Sequence, residues 1–202
     1  MEIILRRTPI TGYKTPPSIT RPFSNPKRPF FFNWTYLLYN KIVNTYLKNF
    51  ISKKFKKPGK ALDLGAGDFT DVVFLKNIDW ECEGVDIKTG IDLEKIYKSK
   101  DKPFDLVFSN YVLHKIKNKK QLIQTIYDNL KNSGWFFIHT FDQSDSNSVS
   151  NISNDYLQKI LTEQGFKNIR IKLFNYYDNE ENHKHWHKIL EATGQKIKNS
   201  SK

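Results

Sequence analysis

The chain has 202 residues and a net charge of +12, with 38% hydrophobic and 14% aromatic content. That length suits one domain with an appendage, and the aromatic share can fill a sizeable core. One cysteine, Cys82, excludes an internal disulfide and a cysteine-based metal site, so a reducing, cytoplasmic setting is the default expectation, with organelle import left open. No apolar run approaches the ~20 residues of a membrane span, and the secretory order of a basic then apolar start is absent.

The charge sits at the front. Residues 1–60 carry thirteen Lys/Arg and one acid, Glu2, while the remainder is balanced. Such a block can meet RNA, an anionic surface or an acidic partner, or serve as a solvated tail. Residues 1–32 hold six of the eight prolines and read as an irregular basic extension. Residues 33–56 read as a helix capped by Asn33: Trp34, Leu37, Leu38, Ile42, Tyr46, Leu47, Phe50 and Ile51 recur at three- and four-residue steps. Lys48, Lys53 and Lys54 crowd its C-terminal end, which suits the helix dipole. Pro58-Gly59 ends the pattern.

From residue 57 to 202, strands and helices alternate. Strands are predicted at Lys60–Leu64, Glu81–Ile87, Phe104–Ser109, Gly134–Phe141, Asn168–Tyr177 and His183–Glu191. Helices are predicted at Phe69–Asn77, Leu93–Ser99, Lys119–Leu130 and Asn154–Gln164, the last capped by Ser153 or Asn154. This alternation implies an α/β fold: a mostly parallel sheet with helices on both faces. The serine-rich stretch 142–153 reads as a loop and a candidate lid.

The segment Ala61-Leu62-Asp63-Leu64-Gly65-Ala66-Gly67-Asp68-Phe69-Thr70 follows a strand and opens a helix. Gly65 can take the positive φ of a sharp turn. Gly67 lets backbone approach a ligand, and the helix starting near Phe69 offers free N–H groups. Asp86 ends the next strand, where a carboxylate can accept hydrogen bonds from ribose hydroxyls. A nicotinamide cofactor fits poorly: its third glycine would fall at Thr70, and Asp63 would repel a pyrophosphate.

These residues resemble the class I S-adenosylmethionine-dependent methyltransferase family. Asp63-Leu64-Gly65-Ala66-Gly67 looks like its first motif and Gly84-Val85-Asp86-Ile87 its second. Phe104 to His114 is similar to its fourth-strand motif, and Leu130-Lys131-Asn132-Ser133-Gly134 to the turn before its fifth strand. The resemblance covers the chain from Lys57 onward. It implies a Rossmann-like sheet with the last strand antiparallel, and S-adenosyl-L-methionine as cofactor. It implies that Asp63 and the Gly65–Ala66–Gly67 loop, running on through Asp68 and Phe69, hold the methionine part. Asp86, with Ile87 beside it, would bind the ribose. Asp92 and Leu93 would border the adenine, and Ser109 and Asn110 would sit below the reactive methyl. The segment from Ile87 to Phe104 is short for the family, so its third strand is brief or absent.

A base is required only if the acceptor is a weak acid such as a hydroxyl. His114, His139 and Asp142, near the ends of predicted strands, are the candidates. His183, His185 and His187 share one face of the last strand and could ligate a transition metal, but the resemblance favours structural roles there and no metal is expected. Trp186 then faces the other way, toward the core. The two prolines of an Asn-Pro-Pro-Tyr type motif are absent from Ser109-Asn110-Tyr111-Val112, which weakens methylation of a base's exocyclic amine.

Three readings of function follow. One is methylation of a small molecule, with Trp34, Tyr36 and Tyr39 of the first helix near it. The second is an RNA-associated methyltransferase whose basic front binds phosphates while Phe23, Phe30, Phe31, Phe32 and Trp34 stack bases. The third is a non-catalytic assembly factor, which has no need of Asp63, Gly65, Gly67 and Asp86.

Overall fold

The structure, a computed structural model, describes residues 44–180 and 183–197. The proline-rich stretch, the Asn33 cap, the first part of the predicted helix and the aromatics from Phe23 to Tyr39 lie outside the described residues. The described part of that helix, α1, runs Thr45–Lys54. Asn44 caps it: its Oδ1 accepts from the backbone N–H groups of Tyr46 and Leu47 at 3.0 and 3.1 Å. Lys53 and Lys54 occupy its last turn.

β1 (Lys60–Leu64) leads through the glycine loop into α2 (Thr70–Asn77), then β2 (Glu81–Val85) and a 3-10 turn, Ile87–Thr89. β3 (Phe104–Asn110) is followed by a second such turn, Leu113–Lys115, then α3 (Lys119–Asn129) and β4 (Leu130–Phe141). α4 (Asn154–Glu163), β5 (Phe166–Glu180) and β6 (His183–Lys196) complete the described elements. Ser153 caps α4 through Oγ, which accepts from the Tyr156 N–H at 3.1 Å.

The sheet order is β2-β1-β3-β4-β6-β5. The first four strands are mutually parallel, and β6 runs antiparallel to both neighbours. From β1 the chain goes to β2 on one side and β3 lies on the other. This reversal opens a crevice at the carboxyl end of β1, where open α/β sheets take ligands.

Alternate residues of the buried strands feed two cores. Leu62, Leu64, Val107, Ile138 and Leu190 join residues of α3 and α4 on one face. Ala61, Leu106, Phe108 and Phe137 join Leu47 and Phe50 of α1 and Val72 and Leu75 of α2 on the other. Each fully buried Leu or Phe contributes about 1.5–3 kcal/mol, so both faces hold the strand ends rigidly under the crevice.

Three expectations are corrected. Residues 93–99 form no helix. Their polar groups are tethered sideways instead: Tyr97 Oη donates to Glu83 at 2.6 Å, the Tyr97 N–H to Thr125 Oγ1 at 3.1 Å and the Ser99 N–H to Asn129 Oδ1 at 2.9 Å. As expected of the brief or absent third strand, no strand stands between Thr89 and Phe104 among the described residues. The stretch from Leu130 to Gly134 is already strand, with a bulge. Phe104 pairs with Leu130 and Leu106 with Trp135, and Ser133 takes φ 65° to absorb the extra residues. Trp186 is 62% exposed, not core. β4 stops pairing with β6 at Phe141↔Ile189 while the β5–β6 pairing continues to Glu180↔His183, so the hairpin overhangs the sheet. The Trp186 ring there packs against Tyr177, with ring centroids 5.1 Å apart.

Candidate active site

The loop leaving β1 crosses the end of β2. The N–H groups of Gly65 and Ala66 both donate to the Val85 carbonyl, at 2.8 and 3.0 Å. Gly65 takes φ +87°, and a Cβ there would stand 2.2 Å from Val112 Cγ2. Gly67 takes φ +56°, but a Cβ on it would meet no atom within 4 Å. The loop thus presents bare backbone to open space at the topological switch point.

Acids surround that space. Asp63, at the end of β1, is buried, and its carboxyl is held well above the usual range by burial and then by Asp71, Asp86 and Asp68. Asp86 is fixed by its neighbours: Oδ2 accepts from the Gly67 N–H at 3.1 Å and Oδ1 from the Lys88 N–H at 3.0 Å. Each oxygen keeps a further lone pair for a ligand hydroxyl. Ile87, next in the chain, is 68% exposed and offers an apolar surface beside it. Asp68 is exposed and accepts from the Thr70 N–H at 3.1 Å, shaping the entry to α2. Phe69 takes φ 66°, and its ring fills the space left by Gly84, where a Cβ would lie 2.9 Å from Phe69 Cδ1.

Other expected contacts fall differently. Leu93 is buried in the core beneath the crevice. Asp92 is half-exposed and spent on a turn, accepting from the Glu94 N–H at 3.0 Å. Ser109 is fully buried and donates to the Leu64 carbonyl at 2.9 Å, so it stitches β3 to β1 and does not face a ligand. Asn110, the last residue of β3, is half-buried. Its Nδ2 donates to Asp71 Oδ2 at 2.8 Å, while its Oδ1 is buried without a hydrogen-bond partner.

The three candidate bases separate. His139 is fully buried, with Nδ1 3.3 Å from Asn44 Nδ2 and Nε2 3.3 Å from Glu191 Oε2. Both ring nitrogens are engaged, which makes it a link between α1 and β6, not a base at an acceptor. Asp142 is also buried, and its Oδ1 accepts from the Ser144 N–H and hydroxyl at 2.9 and 2.6 Å, closing a turn. His114 remains. Its Nδ1 is buried with no hydrogen-bond partner, and its ring packs 4.7 Å from Phe141. Burial, then Lys115 and Lys119, push its pKa down to about 4.

The stretch 142–153, expected as a lid, is pinned to the overhanging hairpin. Asp145 stands 3.1 Å from His187 Nδ1 and accepts from the Lys188 N–H, and Asn147 Nδ2 donates to the Trp186 carbonyl at 2.9 Å. His185 and His187 have ring centroids 4.5 Å apart, and His187 is taken up by Asp145 rather than presented to an ion.

Several site residues were not anticipated. Asp71 joins the site because α2 turns its first-turn carboxylate toward β3. Asn44 donates its backbone N–H to Asp71 Oδ1 at 3.1 Å; an Asn before Thr-Tyr-Leu is the signal that could have marked this cap. Tyr111, at φ 58°, packs 5.9 Å from His139 and 5.4 Å from Phe141.

Residues 39–196 match a family model described as a methyltransferase domain. The chain belongs to the methyltransferase domain family. The class I resemblance read from the motifs therefore holds, and so does its mostly parallel, helix-flanked sheet. A SAM-dependent methyltransferase from Methanosarcina mazei superposes with a TM-score of 0.62 at 13% identity, over 74% of this chain and 98% of that one. Phosphoethanolamine N-methyltransferase 2 of Haemonchus contortus, in complex with S-adenosyl-L-methionine, gives 0.56 at 16% identity, over 77% of this chain and 53% of that one. Both show the methyltransferase fold. A malonyl-[acyl-carrier protein] O-methyltransferase of Calditerrivibrio nitroreducens is 39% identical over 71 residues, 35% of this chain. The chain spans only 28% of that relative's length.

Proposed function

We propose that this methyltransferase domain protein binds S-adenosyl-L-methionine at the Gly65–Gly67 turn and transfers its methyl group to a small-molecule acceptor. The observation that carries the reading is the open space over Gly67, flanked by buried Asp63 and by Asp86 with a lone pair free on each oxygen. A crowd of carboxylates around bare backbone suits a ligand with cationic groups and a diol, which the cofactor has. When bound, the cofactor supplies a methyl group on an already positive sulfur, so no protein nucleophile is needed.

The chain's own residues would orient and enclose. Asp63 would hold the cationic amino group, Asp86 the ribose hydroxyls, and Ile87 would supply apolar surface for the adenine. Asp71 holds the amide of Asn110 at the end of β3, which fixes the orientation of that side chain. His114, kept neutral by burial, has a free ring nitrogen to accept a hydrogen bond or proton from an acceptor.

The small-molecule assignment is tested by incubating the full chain with methyl-tritiated cofactor and a size-fractionated cell extract. Label in the low-molecular-mass fraction is expected. Label confined to RNA or protein would contradict it.

A further inference from the structure

A wall of half-buried rings lines the carboxyl ends of β3 and β4 on the α1 side. Tyr46 of α1 packs 4.7 Å from Phe174 and 6.5 Å from Tyr176 of β5, and 5.2 Å from the buried His139. Tyr111 continues the wall to Phe141, which in turn meets His114. Two carboxylates stand with these rings. After burial, the groups that push the Tyr111 phenol up are Tyr176, Tyr46, Asp178 and Asp71. Tyr111 is thereby kept as a neutral phenol, with an electron-rich face.

Two orphan atoms complete the picture. Asn110 Oδ1 and His114 Nδ1 are buried without partners, one at each end of the five-residue segment that carries Tyr111. An amide oxygen is an acceptor only, and a neutral imidazole can present its bare nitrogen as another. A buried acceptor without a partner calls for a group to fill it, whether a water, an ion or a ligand. A partner for this place must bring donors, tolerate carboxylates and favour ring faces. An alcohol brings one donor and gains little from the carboxylates, and a carboxylate is repelled by them. An amine or ammonium meets all three demands.

We infer that Tyr46, Tyr111 and Tyr176, with Asp178 and the orphan acceptors of Asn110 and His114, form the acceptor subsite, and that the acceptor it takes is an aliphatic amine. This rests on the methyl-transfer reading above and narrows it to nitrogen. The ammonium gives up one proton to solvent. The nitrogen lone pair then forms a bond to the methyl carbon as the carbon–sulfur bond breaks, its electron pair staying on sulfur. The product is an N-methylammonium together with S-adenosylhomocysteine.

The test uses the full chain saturated with S-adenosylhomocysteine, titrated calorimetrically with 2-phenylethylamine and benzyltrimethylammonium and, beside them, with 3-phenylpropionate and 2-phenylethanol. At least one cationic probe should bind roughly tenfold more tightly than the acid and the alcohol, and Tyr111→Ala and Tyr46→Ala should each erase most of that preference. Tyr111→Phe keeps the ring and should keep the preference. If Tyr111→Ala fails to fold, Tyr176→Ala at the half-buried outer edge carries the same expectation. Preference for the acid or the alcohol, or no binding of either cation to the loaded protein, overturns the amine subsite. The S-adenosylhomocysteine titration in the same series reads the cofactor site by itself, so loss of the cofactor reading and loss of the amine subsite are seen separately.

Discussion

Asn110 Nδ2 donates to Asp71 Oδ2 at 2.8 Å, across the gap between the end of β3 and the first turn of α2. Asp71 also accepts, through Oδ1, the backbone N–H that enters α1. One carboxylate therefore ties the entry of α1 to the side chain at the end of β3. Asp71→Asn removes the charge that assists both bonds. Turnover should fall by about tenfold, since hydrogen bonds to charged groups contribute about 1.5–3 kcal/mol. Cofactor affinity, measured by calorimetry, should change much less. Collapse of affinity with intact turnover would refute the positioning role.

Asp63 illustrates a conflict between stability and function. Its folded carboxyl is held well above the usual carboxylate range by burial and then by Asp71, Asp86 and Asp68. The folded state then prefers the protonated form. The stability it contributes is present below the ordinary carboxylate range and is lost as pH rises through that range toward the raised value. Above that range the group lowers the stability of the empty protein. Asp63→Asn should raise the Tm near neutrality, flatten its fall with rising pH and weaken S-adenosylhomocysteine binding by roughly tenfold or more. Thermal denaturation across pH and calorimetry check the pair.

The two glycines of the turn should respond oppositely. A Cβ on Gly65 would stand 2.2 Å from Val112 Cγ2 at φ +87°, so Gly65→Ala should destabilise the fold itself. On Gly67 the Cβ meets only open space, so Gly67→Ala should cost about 1–2 kcal/mol for its positive φ. The same methyl group projects where the cofactor would lie, so binding should suffer out of proportion to stability. Equal losses of stability and binding in both variants would argue that the loop is merely a tight turn.

Two histidines, expected alike as bases, should separate. His139 is fully buried between Asn44 and Glu191, so His139→Ala should lower stability by about 2–4 kcal/mol through a cavity and two orphaned partners. His114→Gln should leave the Tm nearly unchanged and reduce turnover. Because burial, then Lys115 and Lys119, bring His114 to about 4, any acidic limb it gives the rate profile should lie near there and not in the ordinary histidine range. A limb near the ordinary range that vanishes in His114→Gln would contradict the burial argument.

What could be read in advance follows from how local each signal is. Asp63, Gly65, Gly67 and Asp86 lie on two consecutive strand ends, and the turn they form needs nothing beyond its own neighbourhood. The order of strands and helices was legible for the same reason, because alternate apolar residues report burial directly. Contacts between distant segments were not. Nothing near Asn110 announces Asp71, 39 residues away, and His139 looked catalytic because its partner Asn44 is 95 residues away. Ser109 looked like a site residue and proved to be a seam. Strand alternation places Trp186 in the core only where a further layer covers the sheet; among the described residues none covers the overhanging hairpin there, and Trp186 is exposed. Residues 93–99 carried a helical pattern that polar tethers to Glu83, Thr125 and Asn129 overrode.

The Gly65–Gly67 turn with Asp63 and Asp86 forms the proposed cofactor site. Calorimetric titration of the full chain with S-adenosylhomocysteine, beside Asp86→Ala, addresses it most directly. Saturable one-to-one binding is expected, which the variant loses or weakens by roughly tenfold or more, while the variant stays folded and loses only about 1–2 kcal/mol with the cap on Gly67 and Lys88. No binding by the intact protein, or binding indifferent to Asp86, would contradict it.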